Sequence, residues 1–385
     1  MGANSYDVAI IGAGSVGVPA AWAMARSGLR VLVLDRNASP GQGSNKTAIG
    51  GVRATHSEPA KIRICLRSLE IASTWQETYG DNIEWTAGGY SFVAYDEREE
   101  TVLRSLLNTQ RSSGLDIEWH DQRGILRIVP DLRPDGLRGG TFSPNDGHCS
   151  PLLLGHAMYE QARREGAKFR FGVEVSGVVL SDGQVRGVKT SAGSFDTPIV
   201  LNAAGAWANE IGRMVGIEHR ITPDSHEGGI TEPVAPFLGP MVVDIRPSDG
   251  ASNSYFFQLA TGQVVFALTP HPLHPGFDCR ETSSFLPMAS RRMVALMPRL
   301  ANLRVRRTWR GLYPMTADGA PLVGWSNSIR GYLMAIGMCG HGFMLGPGLG
   351  EVLDRLVRDE MTGNDRRILD GLSPDRSFKG SAALK

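Results

Sequence analysis

The chain has 385 residues with a net charge of +1, and 42% of its residues are hydrophobic. This length predicts two domains, because single hydrophobic cores stop growing at about 250–300 residues. The balanced charge gives no sign of nucleic acid or a membrane surface as a partner, so a small molecule or another protein is favoured. The four cysteines, Cys65, Cys149, Cys279 and Cys339, are widely spaced and form no CxxC pair. This spacing predicts neither a disulfide framework nor a zinc site, and it favours a reduced, cytoplasmic setting.

One uncharged stretch, Val8–Ala25, is about as long as a membrane span. Gly12, Gly14, Gly17 and Pro19 interrupt it, and no basic region precedes it. We therefore expect no membrane span and no signal peptide here.

The N-terminal segment predicts a βαβ unit. Tyr6–Ile11 and Arg30–Leu34 are continuous apolar runs, typical of buried parallel strands. Val16–Ser27 lies between them with a helical pattern, and Gly28 ends it. The Gly, Ser and Asn content of Ser39–Gly51 predicts a loop.

The rest of the chain alternates between two kinds of region. Three separated segments, 1–83, 145–217 and 309–385, are predicted to form a nucleotide-binding domain, and the strand-rich segments 84–144 and 218–308 a second domain. Helices are predicted over Pro59–Tyr79, near Glu99–Ser112, and over Pro151–Gly166, Trp207–Val215 and Leu349–Asp359. Strands are predicted over Tyr90–Tyr95, Phe169–Gly172, Val175–Val179, Val185–Thr190, Pro198–Ala203, Tyr255–Leu259, Gln263–Leu268 and Arg330–Ile336.

A GxGxxG motif, Gly12–Gly17, lies between the first strand and its helix. Its glycines allow a tight turn and close approach of backbone N–H groups to a pyrophosphate, toward which the helix directs its positive end. Asp35 ends the second strand, where a carboxylate can accept hydrogen bonds from ribose hydroxyls. The motif predicts a dinucleotide site but does not distinguish NAD from FAD.

Two later segments of small residues favour FAD. Val200–Trp207 (VLNAAGAW) is a strand ending in small residues that allow close approach to a dinucleotide. Gly337–Pro347 (GMCGHGFMLGP) is predicted as a strand-to-helix turn whose N–H groups could face the N1–C2=O edge of a flavin.

These motifs, with Trp309–Gly324 (WRGLYPMTADGAPLVG) between the last two, occur in an order that resembles the D-amino-acid oxidase-like (DAO) flavoprotein family. That family includes glycine and sarcosine oxidases and proline and opine dehydrogenases. The resemblance spans nearly the whole chain. Gly50–Arg53 (GGVR) and the ending GHGFMLGP are most similar to the β subunits of proline, hydroxyproline and opine dehydrogenases.

The resemblance implies an α/β fold. A Rossmann-like FAD-binding domain of the glutathione-reductase type would be interleaved with an α+β substrate domain built on an antiparallel sheet. FAD would lie extended, with its isoalloxazine at the domain interface. By position, the resemblance implies FAD contacts at Gly12, Gly14, Ser15, Gly17, Asp35, Arg36, Ser44, Gly50, Val175, Ala204, Gly205, Gly340, His341, Gly342, Phe343 and Met344.

Departures from the family pattern imply noncovalent FAD. The loop Ser44–Ala48 lacks the histidine that some relatives attach to FAD, and Gly311 stands where monomeric sarcosine oxidases have a cysteine. Pro151 stands where heterotetrameric sarcosine oxidases attach FMN. Tyr313 replaces the arginine that binds substrate carboxylate in glycine and D-amino-acid oxidases, so another cation would have to bind a carboxylate here.

Six side chains are candidates for substrate binding or catalysis. Arg53 and Arg310 could each bind a carboxylate bidentately, or equally form an ion pair within the protein. His341 lies in the predicted flavin-facing turn. The phenols of Tyr255 and Tyr313 could hydrogen-bond a carboxylate or simply pack. His226, in the second domain, is a weaker candidate.

The resemblance implies oxidation of the C–N bond of an amino acid or secondary amine, of the proline, hydroxyproline, sarcosine or opine type, by hydride transfer to flavin N5. A dehydrogenase is favoured, with partner subunits of a hetero-oligomeric complex. The alternatives are an oxidase that makes H2O2 from O2, and a flavin-bearing subunit with no substrate chemistry of its own. The sequence shows no catalytic triad or metal-binding cluster.

Overall fold

The computed structural model describes residues 5–248, 250–378 and 383–384. The strands of this part of the chain are β1 (Val8–Ile11), β2 (Val31–Asp35), β3 (Gly51–Val52), β4 (Tyr90–Ala94), β5 (Glu118–Asp121), β6 (Gly139–Ser143), β7 (Gly147–His148), β8 (Lys168–Phe171), β9 (Val175–Ser181), β10 (Gln184–Thr190), β11 (Gly193–Asp196), β12 (Val200–Asn202), β13 (Thr222–Thr231), β14 (Met241–Asp244), β15 (Ala251–Gln258), β16 (Val264–Pro270), β17 (Val305–Met315), β18 (Leu322–Trp325) and β19 (Tyr332–Ile336). The helices are α1 (Gly17–Arg26), α2 (Pro59–Tyr79), α3 (Glu97–Ser112), α4 (Gln122–Ile128), α5 (Pro151–Arg164), α6 (Ala208–Arg213), α7 (Phe285–Leu296), α8 (Gly342–Val357) and α9 (Gly363–Leu372).

A six-stranded sheet forms the nucleotide-binding half, in the order β18-β19-β12-β1-β2-β8. All neighbouring strands are parallel except the pair β18–β19. Strands β1, β12 and β19 are buried along their whole length, which explains their continuous apolar sequences. Helices α1, α2, α5 and α8 pack together through one large apolar core, and β9–β11 contribute to a second core.

The second half is an eight-stranded sheet in the order β17-β13-β16-β15-β14-β4-β6-β5. It is antiparallel apart from the pair β4–β14. The strands predicted over Tyr255–Leu259 and Gln263–Leu268 fall in β15 and β16, which pair as an antiparallel hairpin. Strands β4 to β6 and β13 to β17 come from separate parts of the chain but form one sheet. This confirms the predicted fold class, in which an α/β half is interleaved with an α+β half built on a mostly antiparallel sheet.

Three features of the chain differ from the sequence-based expectation. The boundary expected at 308/309 falls inside β17, which runs unbroken through the eight-stranded sheet. Helix α7 lies in a segment expected to be rich in strands, and α9 lies in the segment 361–385, for which no helix was predicted. Thr362 and Asp365 form a capping box at the start of α9, a signal that the sequence carried.

Helix α8 begins at Gly342, well before the expected start at Leu349. The glycines of this segment suggested a turn, but Gly346 serves helix packing. A Cβ atom at Gly346 would lie 1.8 Å from the carbonyl oxygen of Ser15, so only glycine lets α8 approach the first turn this closely. Pro347 lies inside this helix.

Candidate active site

A cavity of about 1010 Å³ extends between the two sheets. Its lining runs from the Gly12–Ser15 turn and the end of β2 to strands β4, β13 and β15 of the second sheet. The cavity is therefore large enough, and suitably placed, for a dinucleotide and a small substrate to share it.

The dinucleotide end of the cavity is built by the turn after β1. A Cβ at Gly12 would lie 2.5 Å from Ala203 O, and one at Gly17 would lie 1.9 Å from Gly12 O, so both glycines permit close backbone packing. A Cβ at Gly14 would meet no protein atom within 4 Å. Packing within the protein does not require glycine at position 14, whereas close approach of a ligand to the backbone does.

Asp35 holds this turn from the end of β2. One carboxylate oxygen accepts a 2.7 Å hydrogen bond from Ala13 N, and the other accepts a 2.8 Å bond from Asn37 N. Arg36 stacks on the ring of Trp207, with its guanidinium carbon 4.3 Å from the ring centre. Asp35, Arg36 and Trp207 all line the cavity.

Of the residues for which FAD contacts were expected, every one except Gly17 lines the cavity. Gly17 packs against the backbone of Gly12 instead. The residues present fit a dinucleotide, because α1 and α8 both begin beside the cavity and Gly205, like Gly14, leaves open space where a Cβ would stand.

Arg53 lies at the opposite end of the cavity, directly after β3. The side chain is 6% exposed and lies over the ring of Phe92. Its guanidinium donates to Thr55 O, and its Nη1 and Nη2 atoms lie 3.1 Å from His56 Nδ1 and 3.5 Å from His341 Nε2. No ion pair to a carboxylate is found for it among the described residues. A buried guanidinium that lacks a bound carboxylate can bind an anionic ligand.

Asp146 is the buried carboxylate of this neighbourhood, and it is already bound. It accepts hydrogen bonds from Ala54 N at 2.8 Å and from Thr55 Oγ1 at 2.6 Å. Burial raises the pKa of Asp146 to about 6. Asp146 therefore holds the turn that carries Arg53. Its charge raises the pKa of Arg53, although the two side chains form no ion pair.

His341 lies at the start of α8 and faces Arg53. Burial, followed by the charges of Lys61 and Arg53, lowers the pKa of His341 well below its ordinary value. The imidazole is therefore neutral, and the guanidinium next to Nε2 requires that nitrogen to be the acceptor. Its Nδ1 is buried without a hydrogen-bond partner among the described residues.

Two buried residues of this cluster were not expected from the sequence. His56 is 0% exposed, and its ring meets that of His341 edge-on at 5.0 Å. Lys61 is also 0% exposed, and its Nζ donates to Gly319 O at 3.2 Å. Burial lowers the pKa of Lys61 to about 8. A lysine in a helical pattern looks like a surface residue, so nothing in the sequence signalled its burial.

Strands β13 and β17 supply the remaining candidates. The ring of His226 stacks on that of Tyr313 at 3.8 Å. Burial, followed by the neighbouring Tyr313, raises the pKa of Tyr255. These three residues line the cavity. A Cβ at Gly340 would lie 2.0 Å from the Tyr313 ring, so this glycine lets Tyr313 pack against the turn before α8.

Arg310 is not part of the cavity lining. On β17 it lies opposite Glu227, next to the residue pair His226–Gly311. Because side chains alternate along a strand, Arg310 lies on the face of the sheet opposite to that of His226. There its Nη1 donates to Arg280 O at 3.0 Å. Of the two arginines considered for a carboxylate, the structure places Arg53 in the cavity.

Comparisons with known proteins agree with this geometry. Residues 7–356 match the family model described as FAD dependent oxidoreductase (DAO). The chain belongs to this family. Strands, glycine turns and the cavity thus form the frame of an FAD-dependent oxidoreductase.

Individual relatives are similar over most of the chain. The crystal structure of L-proline dehydrogenase from P. horikoshii has 30% sequence identity and a TM-score of 0.89, covering 96% of this chain and 97% of that one. The structure of glycine oxidase from Geobacillus kaustophilus has 25% identity and a TM-score of 0.85, covering 98% and 100%. Hydrogen cyanide synthase subunit HcnC from Pseudomonas protegens is 29% identical over 71% of this chain, a match spanning 63% of HcnC.

Two other kinds of feature, a membrane-spanning helix and a metal-binding cluster, are absent from the described residues. None of the described helices combines the length and apolar character needed to cross a membrane. No group of three or more His, Cys, Asp or Glu side chains in that part of the chain is arranged to hold a metal ion.

Proposed function

We propose that the chain is an FAD-dependent dehydrogenase that oxidises the C–N bond of a secondary amine or amino acid carrying a carboxylate. The observation that carries this proposal is Arg53, a buried guanidinium that lines the cavity and has no carboxylate partner among the described residues. Similarity to an L-proline dehydrogenase and a glycine oxidase supports a substrate of this class.

Each side chain at this end of the cavity has a distinct task in the proposal. Arg53 binds the carboxylate of the substrate, and the hydroxyl of Tyr313 donates to the same group. The neutral imidazole of His341 lines the same end of the cavity at the start of α8. When bound, FAD accepts the hydrogen and the electron pair that leave the substrate carbon. The apolar residues Phe92, Met241 and Val243 exclude water from the reacting groups.

The site residues given above for FAD form part of this proposal, together with noncovalent attachment. A Cβ at Gly311 would lie 2.0 Å from Thr47 Oγ1, so the cysteine that some relatives carry here would collide with Thr47. Acid precipitation of the purified protein should leave the FAD in the supernatant. Yellow colour that stays with the precipitate would contradict noncovalent binding.

The proposal is tested by adding amines anaerobically to the purified, FAD-loaded chain. The panel contains proline, hydroxyproline, sarcosine, glycine and an opine, each beside an analogue in which hydrogen replaces the carboxylate. We expect bleaching of the flavin absorbance by at least one carboxylate-bearing amine and little by its decarboxylated analogue. Failure of every amine to bleach the flavin would contradict the proposal and favour a flavin-bearing subunit without substrate chemistry.

Substitution of Arg53 makes this test specific. Arg53→Met should lower kcat/KM for the carboxylate-bearing amine by about 10²- to 10³-fold, because it removes a buried charge pair. It should change the rate with the decarboxylated analogue far less. Arg310→Met is the matched control, since Arg310 lies on the other face of β17. Equal losses in both variants, or on both substrates, would show that Arg53 does not bind the carboxylate.

Similarity to a subunit of hydrogen cyanide synthase supports the further proposal that the chain works with partner subunits. The lone chain should then reduce artificial acceptors in the presence of amine but form little H2O2 in air. Rapid, stoichiometric H2O2 formation would instead favour the oxidase alternative. The cytoplasmic setting stays a prediction.

A further inference from the structure

A second buried pair lies in the cavity beside Tyr313. Asp224 and His226 are two residues apart on β13, so their side chains share one face of the sheet. They are 1% and 7% exposed, and His226 Nε2 lies 3.0 Å from Asp224 Oδ2. The other carboxylate oxygen accepts a 2.7 Å bond from His274 N. Asp224 is thus fixed by the backbone of the loop after β16, and it fixes the imidazole in turn.

This arrangement determines the tautomer of His226. A carboxylate can only accept, so Nε2 carries the proton and Nδ1 carries the lone pair. His226 lines the cavity, and Nδ1 has no hydrogen-bond partner among the described residues. Nδ1 is not fully buried, so it is accessible from the cavity. The site therefore offers a basic nitrogen at one point and the cation Arg53 at another.

An amine substrate needs such a base. An alkylammonium group has a pKa near that of lysine, about 10.4, so only roughly one molecule in a few thousand is neutral at pH 7. The carbon next to nitrogen can lose its hydrogen with the electron pair only when the nitrogen lone pair is free to form the C=N bond. A cationic amine entering this cavity must first lose a proton.

We propose that His226 accepts that proton and that Asp224 holds the imidazole in the accepting tautomer. The N–H bond of the ammonium breaks, its electron pair stays on the substrate nitrogen, and the proton forms the Nδ1–H bond of an imidazolium. The adjacent carboxylate of Asp224 stabilises this imidazolium. The inference rests on the amine oxidation proposed above and assigns the step that precedes it.

The charged groups around His226 are consistent with a base that starts neutral. Burial lowers the pKa of His226, while Asp224 raises it, and His274 and Arg310 lower it further. His341, from the start of α8, faces it as a neutral imidazole, and Tyr313 from β17 is a neutral phenol whose pKa is raised by burial. Glu227, the next residue of β13, is turned to the other face, where it binds Thr282.

The test is the pH dependence of anaerobic flavin reduction by the best amine of the panel. His226→Asn should slow reduction at pH 7 by about 10²- to 10³-fold, the usual contribution of a general base. The loss should shrink to within about tenfold at pH 10, where solution supplies neutral amine. Asp224→Asn should show a smaller loss with the same shape. His274→Asn is the matched control, because the side chain of His274 is exposed and only its backbone contacts Asp224.

A binding measurement gives a readout other than activity. 2-Aminoisobutyrate has no hydrogen on its α carbon and cannot be oxidised, so its affinity can be measured through the flavin spectrum. Binding to the wild type should weaken in acid, at a pH lower than an ordinary histidine would give, when a protonated His226 repels the ammonium. His226→Asn should abolish that dependence. A loss of equal size at every pH, with unchanged binding profile, would overturn the role of His226. Absence of bleaching with any amine would overturn the proposed function, and this inference with it.

Discussion

The two ends of the cavity are built in different ways. The dinucleotide end comes from one short segment, in which β1, its glycine turn and α1 follow each other in the chain, with Asp35 a single strand away. The substrate end is assembled from distant segments: Arg53 follows β3, His226 and Tyr313 lie on β13 and β17, and His341 begins α8. A contiguous motif can be recognised from spacing alone, whereas an assembled site depends on which strands become neighbours.

The largest expected effect separates two glycines of the same motif. Gly14→Val should leave the apoprotein folded but lower its affinity for FAD by about 10²-fold or more, because the new side chain fills the open space that a ligand needs. Gly17→Val should destabilise the fold itself by about 3 kcal/mol or more, because its Cβ would collide with Gly12 O.

FAD content and thermal unfolding of the apoproteins distinguish the two. Gly363→Val, at the exposed start of α9 and away from the cavity, is the control for the substitution itself. If Gly14→Val retained normal FAD, the turn would not approach the cofactor. If Gly17→Val unfolded no more easily than the control, the packing role of Gly17 would be wrong.

The residues that the sequence named for the dinucleotide end nearly all line the cavity, whereas those at the substrate end were named only in part. Gly12, Gly14 and Asp35 were placed by a motif whose geometry is local. Arg53 and Arg310 could not be separated, since the face on which Arg310 lies depends on the register of β17 with β13. The burial of Lys61 and the bond between Asp224 and His226 depend on packing between distant segments, which no local pattern reports.

A second prediction concerns the cost of burying polar groups behind the substrate end. His148, on β7 beside β3, is 3% exposed, and neither ring nitrogen has a partner among the described residues. Burial lowers the pKa of His148 from 6.5 to about 4. The unfolded chain therefore takes up a proton first as pH falls. The pH-dependent cost of this residue is close to zero above pH 6.5 and increases between pH 6.5 and 4.

At pH 5 the cost from His148 is about 2 kcal/mol relative to pH 7. His148→Gln should make the fall in unfolding free energy between these two pH values smaller by that amount, as measured by urea denaturation. His156→Gln, an exposed position on α5, should leave the fall unchanged. An identical acid dependence in the His148 variant would mean that an unseen partner, such as water, solvates the imidazole.

The smallest predicted effects test how the two phenols at the substrate end are ordered. We predict that Tyr255 donates a hydrogen bond to the oxygen of the neighbouring Tyr313, which would leave the Tyr313 hydroxyl hydrogen free for the cavity. Tyr313→Phe should raise KM for the carboxylate-bearing amine by about tenfold with little change in kcat, as expected for loss of one hydrogen bond to a charged group. Tyr255→Phe should raise KM only about two- to threefold, because Tyr313 stays in place as the donor to the carboxylate and loses only the contact that orients its hydroxyl.

Steady-state kinetics on the carboxylate-bearing amine and its decarboxylated analogue decide between these roles. Neither substitution should affect the analogue, which has no group for Tyr313 to bind. A larger effect from Tyr255→Phe would mean that Tyr255 is the residue that meets the carboxylate and Tyr313 its support. The hydrogen bond between the two phenols would then run from Tyr313 to Tyr255. The carboxylate would lie nearer to β15 than to the turn before α8. Equal effects on both substrates would instead mean that the two rings act through packing, with Arg53 alone recognising the carboxylate.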